Sequence, residues 1–370
     1  MFIPSTGISD LRKMSFMVTS EQVAQLAGVS RATVSRVLNR SANVSEETRK
    51  RIYTAIATLG YGTNAFSRDI LQQRSHLIAL ALFGSEDGLN LSHLTKTQFY
   101  FYLQLLRFIE REAAQENFDL FLPSRPYDPV DSADDPETMY ALALRERGVE
   151  GALTLALRTS DPRIQSLCRS PIPTIFIDDI FQGPHATYVK SDYTEGAHQA
   201  TNHLLQLGHK RIAYFTGDRL SLTGTERLLG YQQALAHAGV IIDPHLVRTC
   251  GWEADEAYQE ALTILKERRD FTAIFAASDM MALGVLRALH ACGLRVPDDV
   301  SVIGFDGINL SEHSDPPLTT IQQNMQAISA GAITKLSQLI KGEEMPEPLI
   351  VPTQLIVRAS TGPVRRNGSG

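Results

Sequence analysis

The chain has 370 residues, more than one hydrophobic core usually organises, so two or three domains are expected. Apolar residues make up 43% of it and charged residues 21%, which excludes a disordered or fibrous protein. The net charge of −6 is unevenly spread, because residues 1–75 carry ten Lys or Arg against five Asp or Glu. This basic segment indicates a polyanionic partner, although a solvated basic surface would have the same charge.

Membrane, export and catalytic signatures are missing from the sequence. No apolar run approaches the roughly 20 residues of a membrane helix, and the N-terminus lacks the features of a secretory signal. Cys168, Cys250 and Cys292 are far apart and have no metal-ligand spacing, which fits buried thiols in a reducing cytosol. No nucleophile elbow, phosphate loop or dinucleotide motif is present. We therefore expect a cytoplasmic protein without a membrane segment, a cofactor, a metal or an enzymatic activity.

A first short helix is predicted to follow Thr19. The Thr19 side chain can cap this helix, and Gln22 can complete the capping box. Gly28 supplies the backbone freedom to end it. Its apolar stripe is predicted to consist of Val23, Leu26 and Ala27.

A second helix is predicted to begin after Ser30, whose side chain can cap it. Val34, Val37 and Leu38 recur at helical spacing and are predicted to face inward. The outer face is then predicted to carry Arg31, Ala32, Ser35, Arg36 and Asn39.

These two helices have the spacing of a DNA-binding helix-turn-helix. Ala24 is small where the helices touch, Gly28 lies in the turn, and Val34 locks the second helix. The outer face suits a major groove, because Arg36 can make a bidentate contact to guanine and Ala32 can touch a thymine methyl group. An αα-hairpin used only for packing would explain the apolar stripes but not the hydrogen-bond donors outside.

A third helix is predicted between Ser45 and Gly60. Ser45 can cap it, and Glu46 and Glu47 favour its positive end. Its apolar face is predicted to consist of Ile52, Ile56 and Leu59. Three such helices can form a minimal core.

Beyond residue 75, buried strands alternate with amphipathic helices. Strands are predicted over residues 77–83, 118–122, 151–156, 174–178, 211–216, 273–276 and 301–305. Helices are predicted over residues 102–116, 136–147, 161–168, 196–207, 226–237, 253–268 and 279–291. This alternation predicts two doubly wound α/β lobes, which bind ligands at the carboxyl ends of their strands.

Polar side chains follow several of these strands. They are Asp178, Ser278, Asp279 and Asp306. By composition alone, each acid is more often a capping or surface residue. Carboxylates aimed at a cleft suit the paired hydroxyls of a sugar, and Trp252 could cover the apolar face of its ring.

Several motifs along the chain carry a family resemblance. In the basic N-terminal segment, called the head below, they are VTSEQVAQLAGVSRATVSRVLN (18–39), VSEETR (44–49), LGY (59–61) and Asn64. In the remainder of the chain beyond residue 75, called the body below, they are LGHKRIA (207–213), RLLGY (227–231), SDMMALG (278–284), VSVIGFD (300–306), PLTTI (317–321) and PTQLIVR (352–358). With these motifs the chain resembles the lactose/galactose-repressor (LacI) family of bacterial transcription regulators. The resemblance implies a helix-turn-helix head and a periplasmic-binding-protein-like effector module of two doubly wound lobes.

The resemblance assigns DNA contacts residue by residue. The positions that contact DNA bases in the family correspond to Arg31, Ala32 and Arg36. Phosphate or auxiliary contacts fall on Thr19, Ser30, Ser35, Asn39 and Asn43. After Tyr61 the family has a hinge that becomes helical on operator DNA and wedges a leucine into the central minor-groove step. Ile70 takes that place here, while Thr63, Ser67 and Asp69 depart from the family pattern.

The resemblance also assigns effector contacts in the body. They fall on Asp178, Arg227, Trp252, Ser278 and Asp306, with Phe99 and Tyr100 from the first lobe. Ser278 stands where many relatives have asparagine, and His209 lies in a turn where the family uses it structurally.

The predicted domains follow from the motifs and the change of pattern. Residues 1–17 form an extension expected to be disordered, 18–63 the helix-turn-helix, 64–75 the hinge and 363–370 a tail. Residues 76–362 form the effector-binding and dimerisation domain. Its first lobe is expected over about 76–190 and 322–352, and its second over about 191–321 and 353–362.

The predicted function is repression of carbohydrate-utilisation genes. A homodimer would bind a pseudo-palindromic, double-stranded operator on the nucleoid and leave it when a sugar or sugar derivative binds. A corepressor-dependent regulator that senses a purine or nucleoside is the alternative. A secreted sugar-transport protein would share the two-lobed fold but would need a signal peptide and no DNA-binding head. A sugar-modifying enzyme is a remote third possibility.

Overall fold

The computed structural model describes residues 20–38, 44–59, 75–82, 99–123, 136–155, 161–218 and 221–365. The chain divides into two compact units, residues 1–76 and residues 77–370. The predicted hinge, residues 64–75, lies outside the described residues except for its last position.

The first unit contains three helices, α1 (Ser20–Ala27), α2 (Arg31–Leu38) and α3 (Glu46–Leu59). The predicted caps of the second and third helices are confirmed. The amide of Thr33 donates to Ser30 Oγ at 3.1 Å, and the amide of Thr48 donates to Ser45 Oγ at 3.4 Å. Gly28 ends α1 with a φ of +64°, a conformation that favours glycine.

The core of this unit is small and apolar. Most of the side chains predicted to face inward are buried. The side chains of Leu38 and Leu59 are outside the described part of the chain. Leu26, by contrast, is 52% exposed. The prediction for Leu26 is therefore wrong, because the buried arc of α1 is centred between Val23 and Ala24, about 110° from Leu26. The core consists of Val23, Ala24, Ala27, Val34, Val37, Ile52, Ala55 and Ile56.

The second unit contains the alternating elements that the sequence predicts. The strands are β1 (Leu77–Leu82), β2 (Asp119–Phe121), β3 (Gly151–Leu155), β4 (Thr174–Ile177), β5 (Ala186–Ser191), β6 (Ile212–Thr216), β7 (Val247–Thr249), β8 (Ala273–Ala276), β9 (Ser301–Asp306), β10 (Thr319–Gln323), β11 (Leu349–Val351) and β12 (Thr353–Ile356). The helices are α4 (Tyr100–Gln115), α5 (Pro136–Glu146), α6 (Pro162–Arg169), α7 (Tyr193–Gln206), α8 (Leu222–His237), α9 (Ala254–Glu267), α10 (Asp279–Ala291) and α11 (Met325–Lys341).

These strands form two six-stranded sheets, which confirms the predicted pair of doubly wound lobes. The first has the order β11-β5-β4-β3-β1-β2, and the second β12-β10-β9-β8-β6-β7. All pairs are parallel except β10 with β12. The chain passes between the sheets three times, after β5, β10 and β11, so the carboxyl ends of strands from both sheets face one cleft.

Both faces of each sheet are buried. Along β1, Ile78, Leu80 and Leu82 enter one core of the first lobe, while Ala79 and Ala81 enter the other. This alternation follows from the two-residue period of a strand, and it explains why parallel strands have nearly continuous apolar sequences.

Several elements escape the sequence prediction. Strand β5 contains a lysine, Lys190, which is 7% exposed and pairs with Glu226 at 2.5 Å. A lysine inside a strand hides the apolar run on which the prediction depends. Helix α11 is rich in small residues and was also missed, although it packs on the first-lobe core through Ile328, Ala332 and Leu336.

His209 has the structural role that the resemblance implies. Its Nδ1 lies 2.8 Å from Thr272 Oγ1, and its Nε2 lies 2.9 Å from the carbonyl oxygen of Gly362. The ring therefore ties the C-terminal segment to the second lobe. Burial lowers its pKa.

The cysteines only partly match expectation. All three are free, but Cys250 alone is buried, while Cys168 and Cys292 are partly exposed.

Helices α7 and α8 cross very closely at Gly230. A Cβ atom at Gly230 would lie 2.1 Å from the carbonyl oxygen of Thr194 and 2.9 Å from Ala197 Cβ. Ala197, which lies at the same crossing, is fully buried. The small side chains therefore let the two helix backbones approach each other.

Gly230→Ala is expected to lower the free energy of unfolding by about 1–3 kcal/mol, because the methyl group has no room between the helices. At an uncrowded helical position the same change would stabilise the protein by about 0.5–1 kcal/mol. Urea unfolding measures the difference. Gln233→Ala, on the exposed side of α8, is the control and should change the free energy by less than about 0.5 kcal/mol. A more stable Gly230→Ala protein would contradict the close crossing.

Candidate functional site: a helix surface in the head and a cleft in the body

The outer surface of α2 carries the predicted DNA-reading side chains that the structure describes. Ser30, Arg31, Ala32, Ser35 and Arg36 are all exposed. Ser30 Oγ lies 2.8 Å from Thr33 Oγ1, so this hydroxyl is oriented at the start of the helix. The other predicted contacts, Thr19, Asn39, Asn43 and Ile70, lie outside the described residues.

This surface combines charge with projecting hydrogen-bond donors. Val34 and Val37 are fully buried against the neighbouring helices, which fixes the rotation of α2 and leaves its other side open. Arg31 and Arg36 can then supply guanidinium donors to base edges or phosphates. The arrangement is chemically suited to a nucleic-acid groove.

In the second unit, a buried ion pair lies at the carboxyl end of β9. Arg227 on α8 and Asp306 are 4% and 6% exposed, and Arg227 Nη2 lies 3.0 Å from Asp306 Oδ1. Gln323 Nε2 donates to the same Asp306 oxygen at 2.8 Å. Burial raises the pKa of Asp306, whereas the Arg227 guanidinium and the Gln323 amide oppose that rise.

The Arg227 guanidinium is enclosed by aromatic rings. Its Cζ lies 4.0 Å from the ring centroid of Phe305, 4.8 Å from that of Tyr193 and 5.4 Å from that of Trp252. Its Nη1 donates to the carbonyl oxygen of Ala277. The cation is thus held on both sides, by hydrogen bonds and by ring faces.

Asp178, at the end of β4 in the first lobe, contributes a second buried carboxylate. Its Oδ1 accepts a hydrogen bond from the hydroxyl of Tyr193, at the start of α7. Its Oδ2 is buried and lacks a donor at hydrogen-bonding distance and angle, while the buried hydroxyl of Tyr102 lies close by. Burial raises the pKa of Asp178, and the hydroxyls of Tyr193 and Tyr102 oppose the rise. A buried acceptor without a donor is costly, so a ligand that donates to it would relieve that cost.

Backbone strain is concentrated at three of the predicted residues. Asp178, Trp252 and Asp306 have φ angles of +67°, +73° and +119°, which residues other than glycine rarely adopt. Among the described residues only His76 and Asn117 share this property. Strain of this kind persists where the surrounding structure fixes it, and it often marks binding sites.

Trp252 lies against a glycine at the end of β6. A Cβ atom at Gly217 would lie 2.0 Å from Trp252 Cδ2, so the indole stacks directly on the glycine backbone. Trp252 is itself partly exposed. This places a flat apolar surface beside Arg227.

Ser278 and Asp279 lie at the start of α10, where both accept hydrogen bonds from the protein. The amide of Met281 donates to Ser278 Oγ at 3.2 Å, so Ser278 caps the helix. Asp279 is fully buried and accepts from Thr320 Oγ1 at 2.5 Å and from the amide of Ile308 at 2.9 Å. The Asp279 carboxylate is therefore already used by the fold, whereas the Ser278 hydroxyl hydrogen is still able to donate.

The first lobe contributes aromatic side chains near the start of α4. The hydroxyl of Tyr100 donates to Asn309 Oδ1 at 3.0 Å, in the 3₁₀ turn Asn309–Glu312 that follows β9 of the second sheet. Phe99 is half-buried and packs against the first-lobe core. Tyr100 therefore links the two lobes directly.

Sequence reasoning missed Tyr193, Ser191 and Gln323. Ser191 Oγ donates to Gln323 Oε1 at 2.7 Å, and Gln323 in turn holds Asp306. Ser191 and Gln323 end strands β5 and β10, which the sequence did not reveal as strands. The signal that could have found them is their place directly before the caps Asp192 and Asn324, each followed by a helix.

Asp179 is a further buried acid, next to Asp178. It is 5% exposed, and its Oδ2 has no hydrogen-bond partner. Burial, and then the charge of Asp178, raises the pKa of Asp179 to about 8. The folded protein therefore holds a proton that the unfolded chain releases well below neutral pH, so the free energy of unfolding falls as pH rises toward 8.

Asp179→Asn is expected to remove this pH dependence. Between pH 5 and 7 the variant should gain up to about 1.4 kcal/mol of stability per pH unit relative to wild type. Urea unfolding at several pH values measures both slopes. Asp255→Asn, at an exposed side chain, is the control. Parallel slopes for wild type and Asp179→Asn would contradict the assignment.

The described residues contain neither a membrane-spanning helix nor a cluster of three or more metal-ligating side chains. No helix in the described ranges is long and apolar enough to span a bilayer. Within the same ranges, no three or more His, Cys, Asp or Glu side chains are grouped so as to hold a metal ion.

Comparison with known proteins matches both units. Residues 20–64 match the family model "Bacterial regulatory proteins, lacI family", and residues 201–361 match the "Periplasmic binding protein-like domain". The HTH-type transcriptional regulator CelR of Thermobifida fusca is 34% identical over 345 residues, covering 92% of this chain and 98% of CelR. The HTH-type transcriptional repressor PurR of Haemophilus influenzae is 30% identical over 351 residues, covering 93% of this chain and 98% of PurR.

Solved structures of LacI-family regulators are similar to this chain over almost its full length. A "transcriptional regulator CelR-cellobiose complex" has a TM-score of 0.67 at 33% identity, covering 93% of this chain and 99% of that one. The lac repressor dimer bound to operator and the anti-inducer ONPF has a TM-score of 0.67 at 28% identity, with the same coverage. Similarity over almost the full length of both units shows that the chain belongs to the LacI family of bacterial transcription regulators.

Proposed function

We propose that the protein is a cytoplasmic, homodimeric repressor whose hold on operator DNA is controlled by a sugar in the cleft. The observation that carries the sugar assignment is the buried, unpartnered Oδ2 of Asp178, which faces the same cluster as Arg227 and Trp252. A carboxylate acceptor, a guanidinium donor and an indole surface together suit a ligand with neighbouring hydroxyls and an apolar ring face. The proposed effector contacts are Phe99, Tyr100, Asp178, Arg227, Trp252, Ser278 and Asp306.

The relatives support a sugar more directly than a purine. The solved CelR structure is a complex with cellobiose, and CelR is 34% identical to this chain. The PurR relatives, at 30% or less, keep a purine effector as the second candidate. A secreted transport protein is disfavoured because residues 20–64 match the DNA-binding family.

Repression would require two heads on one pseudo-palindromic operator. The proposed hinge, residues 64–75, would place Ile70 of each subunit at the central minor-groove step. A hundredfold change in DNA affinity on effector binding requires about 2.7 kcal/mol of differential binding between the two states of the protein.

Cellobiose and other disaccharides are expected to quench or shift the fluorescence of Trp252, the single tryptophan of the chain. Asp178→Ala should weaken that binding at least about tenfold, because the ligand loses a charged acceptor. Glu344→Gln, at an exposed side chain, is the control. Binding of guanine or hypoxanthine in place of any sugar would support the purine alternative, and unchanged sugar affinity in Asp178→Ala would contradict the assigned site.

Arg36→Ala is expected to lower affinity for the preferred duplex by about 1–3 kcal/mol, because a bidentate contact to guanine is lost. The duplex is first selected from a random pool with the full-length protein, and fluorescence anisotropy then gives the affinities. Gln25→Ala, exposed on α1, is the control. If Arg36→Ala selected the same sequence with the same affinity, α2 would not be the reading helix.

A further inference from the structure

Two histidines from neighbouring helices meet on the surface of the second lobe. His198 lies on α7, and His237 is the last residue of α8. His198 Nε2 and His237 Nδ1 share a hydrogen bond at 3.2 Å, with the ring planes at 73° to each other. Neither ring has a part in the effector cleft or in the DNA-binding surface described above.

We propose that His198 and His237 form a binding site for one divalent transition-metal ion of the zinc, copper or nickel type. Imidazole nitrogen is a preferred ligand of these ions. Two nitrogens bound at 2.0–2.1 Å to a tetrahedral ion lie about 3.3 Å apart, close to the observed separation. One ion can therefore replace the hydrogen shared by the two rings once the rings turn so that both nitrogen lone pairs point at it.

Asn202 supplies the neighbour that such a ligand needs. Its Nδ2 lies 3.1 Å from His198 Nδ1, on the side of the ring away from His237. When Nε2 binds a metal, Nδ1 carries the proton, and an amide rotated by half a turn can accept it through Oδ1. Asn202 thereby orients the His198 ring toward the ion.

The helices that carry the two rings are fixed before any ion binds. The close crossing at Gly230 leaves no room for a Cβ atom, so α7 and α8 cannot slide apart without losing their packing. Thr201, one residue before Asn202, is fully buried and donates to the carbonyl oxygen of Ala197. A rigid pair of helices reduces the entropy cost of binding an ion between them.

The site keeps open coordination positions. His237 is exposed, and no third His, Cys, Asp or Glu joins the pair among the described residues. Water would complete the coordination, so the ion should exchange freely and bind more weakly than at a closed structural site. A bound ion would tie α7, which begins at Tyr193, to α8, which carries Arg227.

Zinc titration of the full-length, metal-free protein tests the proposal by isothermal calorimetry at pH 7.5. We expect a site of one ion per chain that weakens at least about tenfold in His198→Gln and in His237→Gln. The double variant should bind more weakly than either single variant, because each single variant keeps one imidazole ligand. Asn202→Ala should weaken binding about tenfold or more.

His290→Gln, at an exposed histidine on α10, is the matched control and should bind zinc as wild type does. Thermal melts without zinc establish that each variant is folded, and zinc should raise the melting temperature of wild type but not of His237→Gln. Equal zinc affinity in wild type and both single variants would overturn the proposal. So would the absence of binding by wild type at millimolar zinc, which would leave only a hydrogen-bonded pair of rings.

Discussion

A fully desolvated guanidinium makes the polar floor of the cleft possible. Two carboxylates, Asp178 and Asp306, lie buried at strand ends from opposite lobes, and the cation of Arg227 lies within reach of both. Buried charges are tolerated only when they are paired and hydrogen-bonded, and loss of one partner leaves the others uncompensated. The floor therefore behaves as one unit, in which each member depends on the rest.

Much of the fold follows from the sequence by simple periodicity. Apolar runs such as β1 and β8 are buried on both faces, and the amphipathic helices between them fit only a doubly wound arrangement. The prediction failed where burial depends on partners far along the chain. Lys190 is an example, because its ion pair inside β5 is with Glu226, 36 residues away.

The site was predictable to the extent that it follows strands. Asp178 and Asp306 end strands with clear apolar runs, and the family motifs add Arg227 and Trp252. Tyr193 could not be placed, since its contact to Asp178 forms only when the two lobes meet, and Gln323 was missed because its strand, β10, was not recognised. In the head, a helical period placed the outer face of α2 correctly but misplaced Leu26, because an eight-residue helix gives too few turns to fix the buried arc.

The left-handed backbone at Asp178 and Asp306 also limits how this cleft can diverge. Apart from glycine, asparagine and aspartate are among the few residues enriched at positive φ, so few residue types suit these positions. Paralogues with new ligand preferences are then expected to keep the two anchors and to vary the walls, for example around Tyr100 and Ser278, which have ordinary backbone geometry. Selection for a new effector would then act on the rim of the proposed site and leave its base intact.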